Sequence, residues 1–321
     1  MILAEQTHLH IAATTHPGLR GKVNEDRYSI TAYQVSPEDR TPSVLAILAD
    51  GIGGHRAGEV AAQLAIENIT KFIANSPTDK PALILTQALT HTNQLILNFA
   101  NANPALTGMG TTCVCAWVIG KQLYAASVGD SRLYLQRAEH LIRLTTDHTW
   151  VQEALTQGTL TPEQARSHPN AHIIRRFLGS LNAIQPDLRL RLHPAEDDTQ
   201  SEANQGLLLI PGDRLMLCTD GLTDLVTDGE LLNILRSKQL DQIPTQLVDL
   251  ANQRGGHDNI TVVILEVPRP APEIRQPKPK VESSIAAKQK TRRSAASWWM
   301  IGLLLVAILC MLLLLVYLSS H

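Results

Sequence analysis

The chain has 321 residues, 44% of them hydrophobic and 18% charged, with apolar content ample for one large domain or two small ones. Residues 1–266 carry 20 Lys+Arg against 28 Asp+Glu and residues 267–297 carry 8 against 2, so the acidic main body excludes nucleic acid as the main partner. The four cysteines, Cys113, Cys115, Cys218 and Cys310, lie in apolar runs without Cys-x-x-Cys spacing, which argues for a reducing compartment and against a disulfide framework.

Taken along the chain, residues 8–14, 28–33 and 44–49 read as strands. Residues 57–74 then carry apolar positions at 61, 65, 69 and 72–73, the stripe of an amphipathic helix. A second helix starts near Pro81, a favoured first-turn residue, with Leu85, Leu89, Thr92, Ile96 and Phe99 along one side. Strands follow at 111–119, 122–128 and 132–136, then a polar, helical stretch at 147–180. Strands at 188–193 and 207–219, helices at about 228–238 and 243–254, and a last strand at 260–265 complete the body. Strands in runs with helices in pairs indicate an α+β fold and argue against a βαβ repeat.

Three aspartates sit in short glycine-bearing phrases at strand ends: Asp50 in ADGIGGH, Asp220 in CTDGLTD and Asp258 in GGHDNITVVIL. A core can hold such carboxylates rigidly while their oxygens face water. Clustered carboxylates without cations are costly, so the pattern points to a site for a hard metal. Gly51 and Gly221, directly after their aspartates, permit sharp turns with close backbone approach. No Gly-Lys-Ser/Thr follows, so this is not a nucleotide phosphate-binding loop. His8 and His10 share a strand face, but no third ligand accompanies them.

The ordered set GLRGKVNED, ADGIGGHRAGE, GMGTTCV, SVGDSRLYL, TTDHTW, PGDRLMLCTDGLTD and GGHDNITVVIL resembles the metal-dependent type-2C Ser/Thr protein phosphatases (the PPM family), in particular the bacterial branch. The resemblance spans residues 8–266 and implies a central antiparallel β-sandwich flanked by helix pairs, with metals at one end. It implies that Asp50 bridges two metals, with the Gly51 carbonyl, Asp220 and Asp258 as further ligands. Glu25 and Asp26 match residues that hold the second metal, largely through its waters, and Asp130 with Asp220 matches a weaker third site. Hard oxygen donors of this kind suit Mn²⁺ or Mg²⁺. Paired cations can acidify a water and neutralise phosphoryl oxygens, so no Ser or Cys nucleophile and no phosphoenzyme are expected.

Two positions depart from the family pattern. Gly21 stands where an Arg usually grips the substrate phosphate, which leaves the neighbours Arg20 and Lys22 as candidates, Arg20 with a bidentate grip and Lys22 with a point charge. Ile52 stands where many eukaryotic relatives have a His, and His55 is nearby. Residues 150–180 match the family's flap, with Arg166, His168, Arg175 and Arg176 as candidate substrate contacts and Asp147-His148 as a structural pair.

Beyond residue 266 the chain changes character. Pro268, Pro270, Pro272, Pro277 and Pro279 exclude regular structure from the first half of a tether at 267–297, whose second half is basic. Residues 298–318 lack any charge and are bounded by Trp298, Trp299 and Tyr317, the pattern of a transmembrane helix about 31 Å long. Lys288, Lys290, Arg292 and Arg293 before it place the main body in the cytoplasm by the positive-inside rule, within reach of anionic lipid. The expectation is a membrane-tethered phosphatase acting on phosphoserine and phosphothreonine in proteins, opposing a membrane Ser/Thr kinase. The rival is a non-catalytic scaffold of the same fold, which should have lost one of Asp50, Asp220 and Asp258; all three are present.

Overall fold

The computed structural model describes residues 1–21, 23–53, 57–166, 168–270, 306–309 and 311. The chain begins with β1 (Ile2–Leu3), β2 (His10–His16), β3 (Arg27–Gln34), β4 (Pro42–Ala49) and β5 (Gly51–Ile52), followed by helices α1 (Ala57–Ala74) and α2 (Pro81–Ala102). Next come β6 (Gly110–Thr111), β7 (Cys113–Ile119), β8 (Gln122–Val128), β9 (Arg132–Arg137) and β10 (His140–Arg143). Short helices α3 (Trp150–Thr156), α4 (Pro162–Arg166) and α5 (Asp198–Ala203) precede β11 (Leu207–Leu208) and β12 (Arg214–Cys218). The last elements are α6 (Asp220–Thr223), α7 (Asp228–Ser237), α8 (Ile243–Gln253) and β13 (Ile260–Glu266).

The strands form two antiparallel sheets, ordered β1-β3-β4-β7-β8-β11 and β10-β9-β12-β13-β2, with β5 and β6 as a separate ribbon. The period of two in β4 sends its buried residues to two different layers. Leu45, Ile47 and Ala49 pack with Ile69, Ile73, Leu85 and Leu89 of α1 and α2. Val44, Ala46 and Leu48 face the second sheet, meeting Leu133, Leu215, Leu217 and Val263. The outer face of that sheet, through Met216, Val262 and Ile264, is covered by Leu231, Leu247 and Ala251 of α7 and α8. Central strands buried on both faces explain why they read as continuous apolar runs. Truncating one such residue, Leu45→Ala, costs about 2–5 kcal/mol.

The chain start is tied into this core. The Met1 amino group donates a 2.8 Å hydrogen bond to the Ala74 carbonyl, placing a cation on the last turn of α1, where carbonyls lack helix partners.

Several expectations need correction. The helical reading of 147–180 holds only for α3 and α4; after them the chain bends without helix to residue 180. The expected strand at 188–193 is absent; a single bridge between Ser127 and Asp187 precedes it, and Arg189 and Arg191 are engaged by carboxylates instead of a ladder. The strand expected over 207–219 divides into β11 and β12, because Pro211-Gly212 turns the chain between them. Phe99 is 40% exposed, and Ala100 takes the inward position because the helix advances by 3.6 residues per turn. Residues 1–271 form one compact unit and 272–321 a second. Among the described residues no helix is long and apolar enough to cross a membrane. The tether and span expected at 267–297 and 298–318 lie outside the described residues, save 267–270, 306–309 and 311.

Candidate metal centre

Sheet register gathers the acidic residues. In the first sheet Arg27 opposes Ala49 and Cys113 opposes Val128, so Asp26, Asp50 and the Gly129-Asp130 turn leave the sheet at one end. In the second sheet Cys218 opposes both Arg132 and Val262, which brings Asp220 and the residues preceding β13 to the matching end. The hydroxyl of Thr219 then joins the two sheets by donating to Asp26 Oδ2 at 3.1 Å.

Each carboxylate is held by its local backbone. The Asp50 carbonyl accepts from the Thr112 N–H and the Thr111 hydroxyl, both at 2.8 Å, and its N–H donates to Thr112 Oγ1 at 3.1 Å. Gly51 lies so close to α1 that a Cβ there would sit 2.3 Å from the Gly58 carbonyl oxygen. Glu25 reaches the same first turn: its carboxyl carbon would be 2.9 Å from a Cβ on Gly58. The Glu25 N–H donates to Asn259 Oδ1 at 2.7 Å, and the Asn259 N–H donates to Asp258 Oδ1 at 2.9 Å. Gly221 permits α6 to rest on the Asn259 carbonyl, only 2.0 Å from where a Cβ would stand. The turn carrying Asp130 is fixed from below, since the Gly129 N–H donates to His148 Nδ1 at 3.0 Å. Nδ1 is thus the acceptor, and Nε2 carries the proton toward Asp187 at 3.2 Å.

The electrostatics of the cluster are those of negative charges crowded in a core. Burial first, then the neighbouring Asp220 and Asp258 carboxylates, raise Asp26 to about 7 against the hydrogen bonds of Thr261 and Thr219. Burial and Asp224 with Asp258 raise Asp220 to about 6, although its carboxyl shares a hydrogen bond with Asp50. Asp50 and Asp130 are also held well above the usual carboxylate range, by burial and then by neighbouring aspartates. Oδ1 of Asp26 and Oδ1 of Asp130 are buried with no hydrogen-bond partner among the described residues. Oxygens of this kind, in an all-oxygen donor set, fit divalent Mn²⁺ or Mg²⁺. Arg132 is a half-buried cation beside them, and both Asp147 and the Tyr134 hydroxyl hold its guanidinium.

A cavity of about 740 Å³ opens at the Asp130–Asp220 edge of the cluster, lined there by Asp130, Asp220 and Asp224 and, from the flap, by Leu155, Ala165 and His172. Of the flap residues expected to touch substrate, His168 instead stacks on Trp150 with ring centroids 4.6 Å apart. Arg175 pairs with Glu153 at 3.3 Å, and Arg176 lines a different cavity with Arg189 and Arg191. The side chain of Arg166 lies outside the described residues, as do His55 and Lys22. Arg20 is exposed, and the adjoining Gly21 has φ +67°, a left-handed conformation that an Arg there would adopt only with strain. Nε2 of His8 meets the Gly120 carbonyl at 2.9 Å. Sequence reasoning missed Asp224 and His172, whose atoms lie with Asp220 within 4.8 Å of one another. Asp224 was visible as the fourth residue after Asp220 in a helical turn; no local signal marked His172.

Residues 19–255 match the protein phosphatase 2C family. The chain belongs to that family. PstP, a serine/threonine protein phosphatase of Mycobacterium tuberculosis, is 37% identical over 223 residues, covering 70% of this chain and 40% of that protein. This chain therefore spans under half the length of that relative. The Streptococcus agalactiae serine/threonine phosphatase superposes with a TM-score of 0.70 at 31% identity, covering 81% of this chain and 99% of that one. The catalytic domain of PstP in complex with two manganese ions superposes with a TM-score of 0.65 at 33% identity, covering 81% and 99%. The oxygen-only character of the acidic cluster is consistent with the metal dependence of this family, seen in the two manganese ions of the PstP complex.

Proposed function

We propose that this 2C-type phosphatase hydrolyses phosphoserine and phosphothreonine in proteins at a two-cation centre held by Asp26, Asp50, Asp220 and Asp258, with the Gly51 carbonyl and Glu25 completing it. The observation that carries the reading is the convergence of Asp26 and Asp50 from one sheet end with Asp220 and Asp258 from the other, joined by the Thr219 hydroxyl on Asp26. Bound Mn²⁺ or Mg²⁺ would acidify a water and neutralise charge on the phosphoryl oxygens. The chain itself supplies position and field. Thr219 and Thr261 fix Asp26, Thr111 and Thr112 fix the Asp50 backbone, and Leu155, Ala165 and His172 of the flap line the cavity beside them. Arg20 grips the substrate phosphate from the exposed loop before Gly21, and Lys22 adds a point charge there.

Membrane tethering belongs to the same proposal. Its support is the uncharged run 298–318, flanked by Trp298, Trp299 and Tyr317 and preceded by four basic residues at 288–293. If the 31 residues at 267–297 behave as a coil, as their composition implies, the root-mean-square reach of the catalytic unit from the anchor would be roughly 30 Å. That would raise its effective concentration toward phosphoproteins of a membrane Ser/Thr kinase at the cytoplasmic face.

Two assays test the proposal. The first follows phosphate release from phosphoserine and phosphothreonine peptides with Mn²⁺ and with EDTA, beside Arg20→Ala. Turnover only with metal, with KM raised in the variant, supports it; turnover in EDTA sinks the cation centre. The second fractionates cells producing the full chain or a chain ending at residue 297. Recovery of both in the soluble fraction would remove the tether.

A further inference from the structure

We propose that His172, carried by the flap, is a ligand of the third-cation position that the family resemblance assigns to Asp130 and Asp220, with Asp224 beside it, so that a cation there holds the flap over the acidic cluster. The inference rests on reading the clustered carboxylates as metal ligands, and extends that reading to the flap.

The placement is specific. Nδ1 of His172 lies 3.3 Å from Asp224 Oδ2, and ligand atoms of His172, Asp220 and Asp224 all fall within 4.8 Å of one another. All three line the cavity of about 740 Å³ that Asp130 also lines. Asp130 is only 6% exposed, and its Oδ1 is buried without a hydrogen-bond partner among the described residues. An ordinary histidine–aspartate pair at the surface, worth about 0–1 kcal/mol, would leave that oxygen and the excess charge around it unexplained. One cation answers both.

The flap is built to respond. Its far end is pinned, because Asn93 Oδ1 accepts from the N–H groups of Gly179 and Ser180 at 2.8 and 3.1 Å. Its near end is pinned by paired backbone bonds, Trp150 N–H to the Ile173 carbonyl at 2.9 Å and Arg175 N–H to the His148 carbonyl at 2.7 Å. His172 directly precedes the near anchor at Ile173, with its side chain 68% exposed, so it can engage a cation without unpacking a core. An imidazole among carboxylates also shifts preference from Mg²⁺ toward Mn²⁺, Co²⁺ or Zn²⁺.

The test uses the full chain, His172→Ala and His172→Gln, with Mn²⁺ as probe. Wild type is expected to bind a weak Mn²⁺ beyond the tight ones, with a ¹⁴N coupling in pulsed electron paramagnetic resonance and slowed amide exchange over 168–176. In both variants the coupling should vanish, the weak site should lose at least roughly tenfold in affinity, and the exchange protection should disappear while tight binding persists. Unchanged weak binding, or no nitrogen coupling in wild type, overturns the inference while leaving the two-cation centre standing. Absence of any Mn²⁺ binding in wild type overturns both.

Discussion

The hydroxyl of Thr261 donates a 2.6 Å hydrogen bond to Oδ2 of Asp26, across 235 residues of sequence and between the two sheets. Thr261 is itself met by Thr15 Oγ1 at 2.7 Å, which accepts from the Asn24 side-chain amide at 2.8 Å. Asn24 Oδ1 in turn accepts from the Asp26 N–H at 3.1 Å, closing the ring. Hydrogen bonds in such a ring polarise one another and leave one orientation for the carboxylate. Replacing Thr261 by Val, which keeps shape and removes the donor, should weaken Mn²⁺ binding by roughly 10–100-fold, whereas Thr261→Ser should stay near wild type. Calorimetric Mn²⁺ titration of both variants checks this.

The crowded carboxylates make the metal-free protein sensitive to pH in an unusual direction. Asp26 at about 7 and Asp220 at about 6 would return to about 3.8 in the unfolded chain. Between about pH 4 and 7 the folded state therefore binds more protons than the unfolded state, and stability falls as pH rises. Below that window Asp187 acts oppositely. Burial would raise it, but Arg189 and His148 hold it below the usual range, so its contribution is lost as pH falls through its folded value. EDTA-treated protein should melt higher at pH 5 than at pH 8, and Mn²⁺ should erase or reverse the difference by displacing protons. A thermal scan in both buffers decides; a higher melting point at pH 8 in EDTA would refute the account of the cluster.

Asp50→Asn removes one charge from the centre of that cluster, where Asp26, Asp220, Asp130 and Asp258 all add to its field. In EDTA at pH 7.5 the variant should gain stability, raising the melting temperature by roughly 2–8 °C. With Mn²⁺ it should fall below wild type, because it lacks a carboxylate for the cation. The crossing of the two curves separates a metal-binding role from a purely structural one.

Asn93 is buried and receives two backbone donors from the end of the flap. Asn93→Ala leaves those N–H groups without their acceptor, at a cost of roughly 1–3 kcal/mol. The expected signature in steady-state kinetics is a KM for phosphopeptide that rises more than kcat falls, alongside faster proteolysis near residues 179–181.

Much of this was legible in the sequence because period and punctuation coincide. The runs at 44–49 and 260–265 are apolar on both faces, and each adjoins an aspartate and a glycine at the sheet end. Asp50, Asp220 and Asp258 could thus be placed before any coordinates. Asp26 and Asp130 came only through the family resemblance, since neither follows an apolar run that isolates it. The flap resisted for a different reason. Residues 147–193 are polar and hold their shape through side-chain partners such as His148–Asp187 and Trp150–His168, which leave no periodicity. His172 and Asp224 meet across 52 positions, a pairing that no local pattern encodes.

On the proposed function, these carboxylates work by holding divalent cations for phosphate-ester hydrolysis. The most direct test is phosphate release from a phosphothreonine peptide during Mn²⁺ titration of the EDTA-stripped chain, beside Asp220→Asn. Turnover should rise from background with Mn²⁺ in wild type and stay at background in the variant. Turnover without metal, or equal turnover in Asp220→Asn, would contradict it.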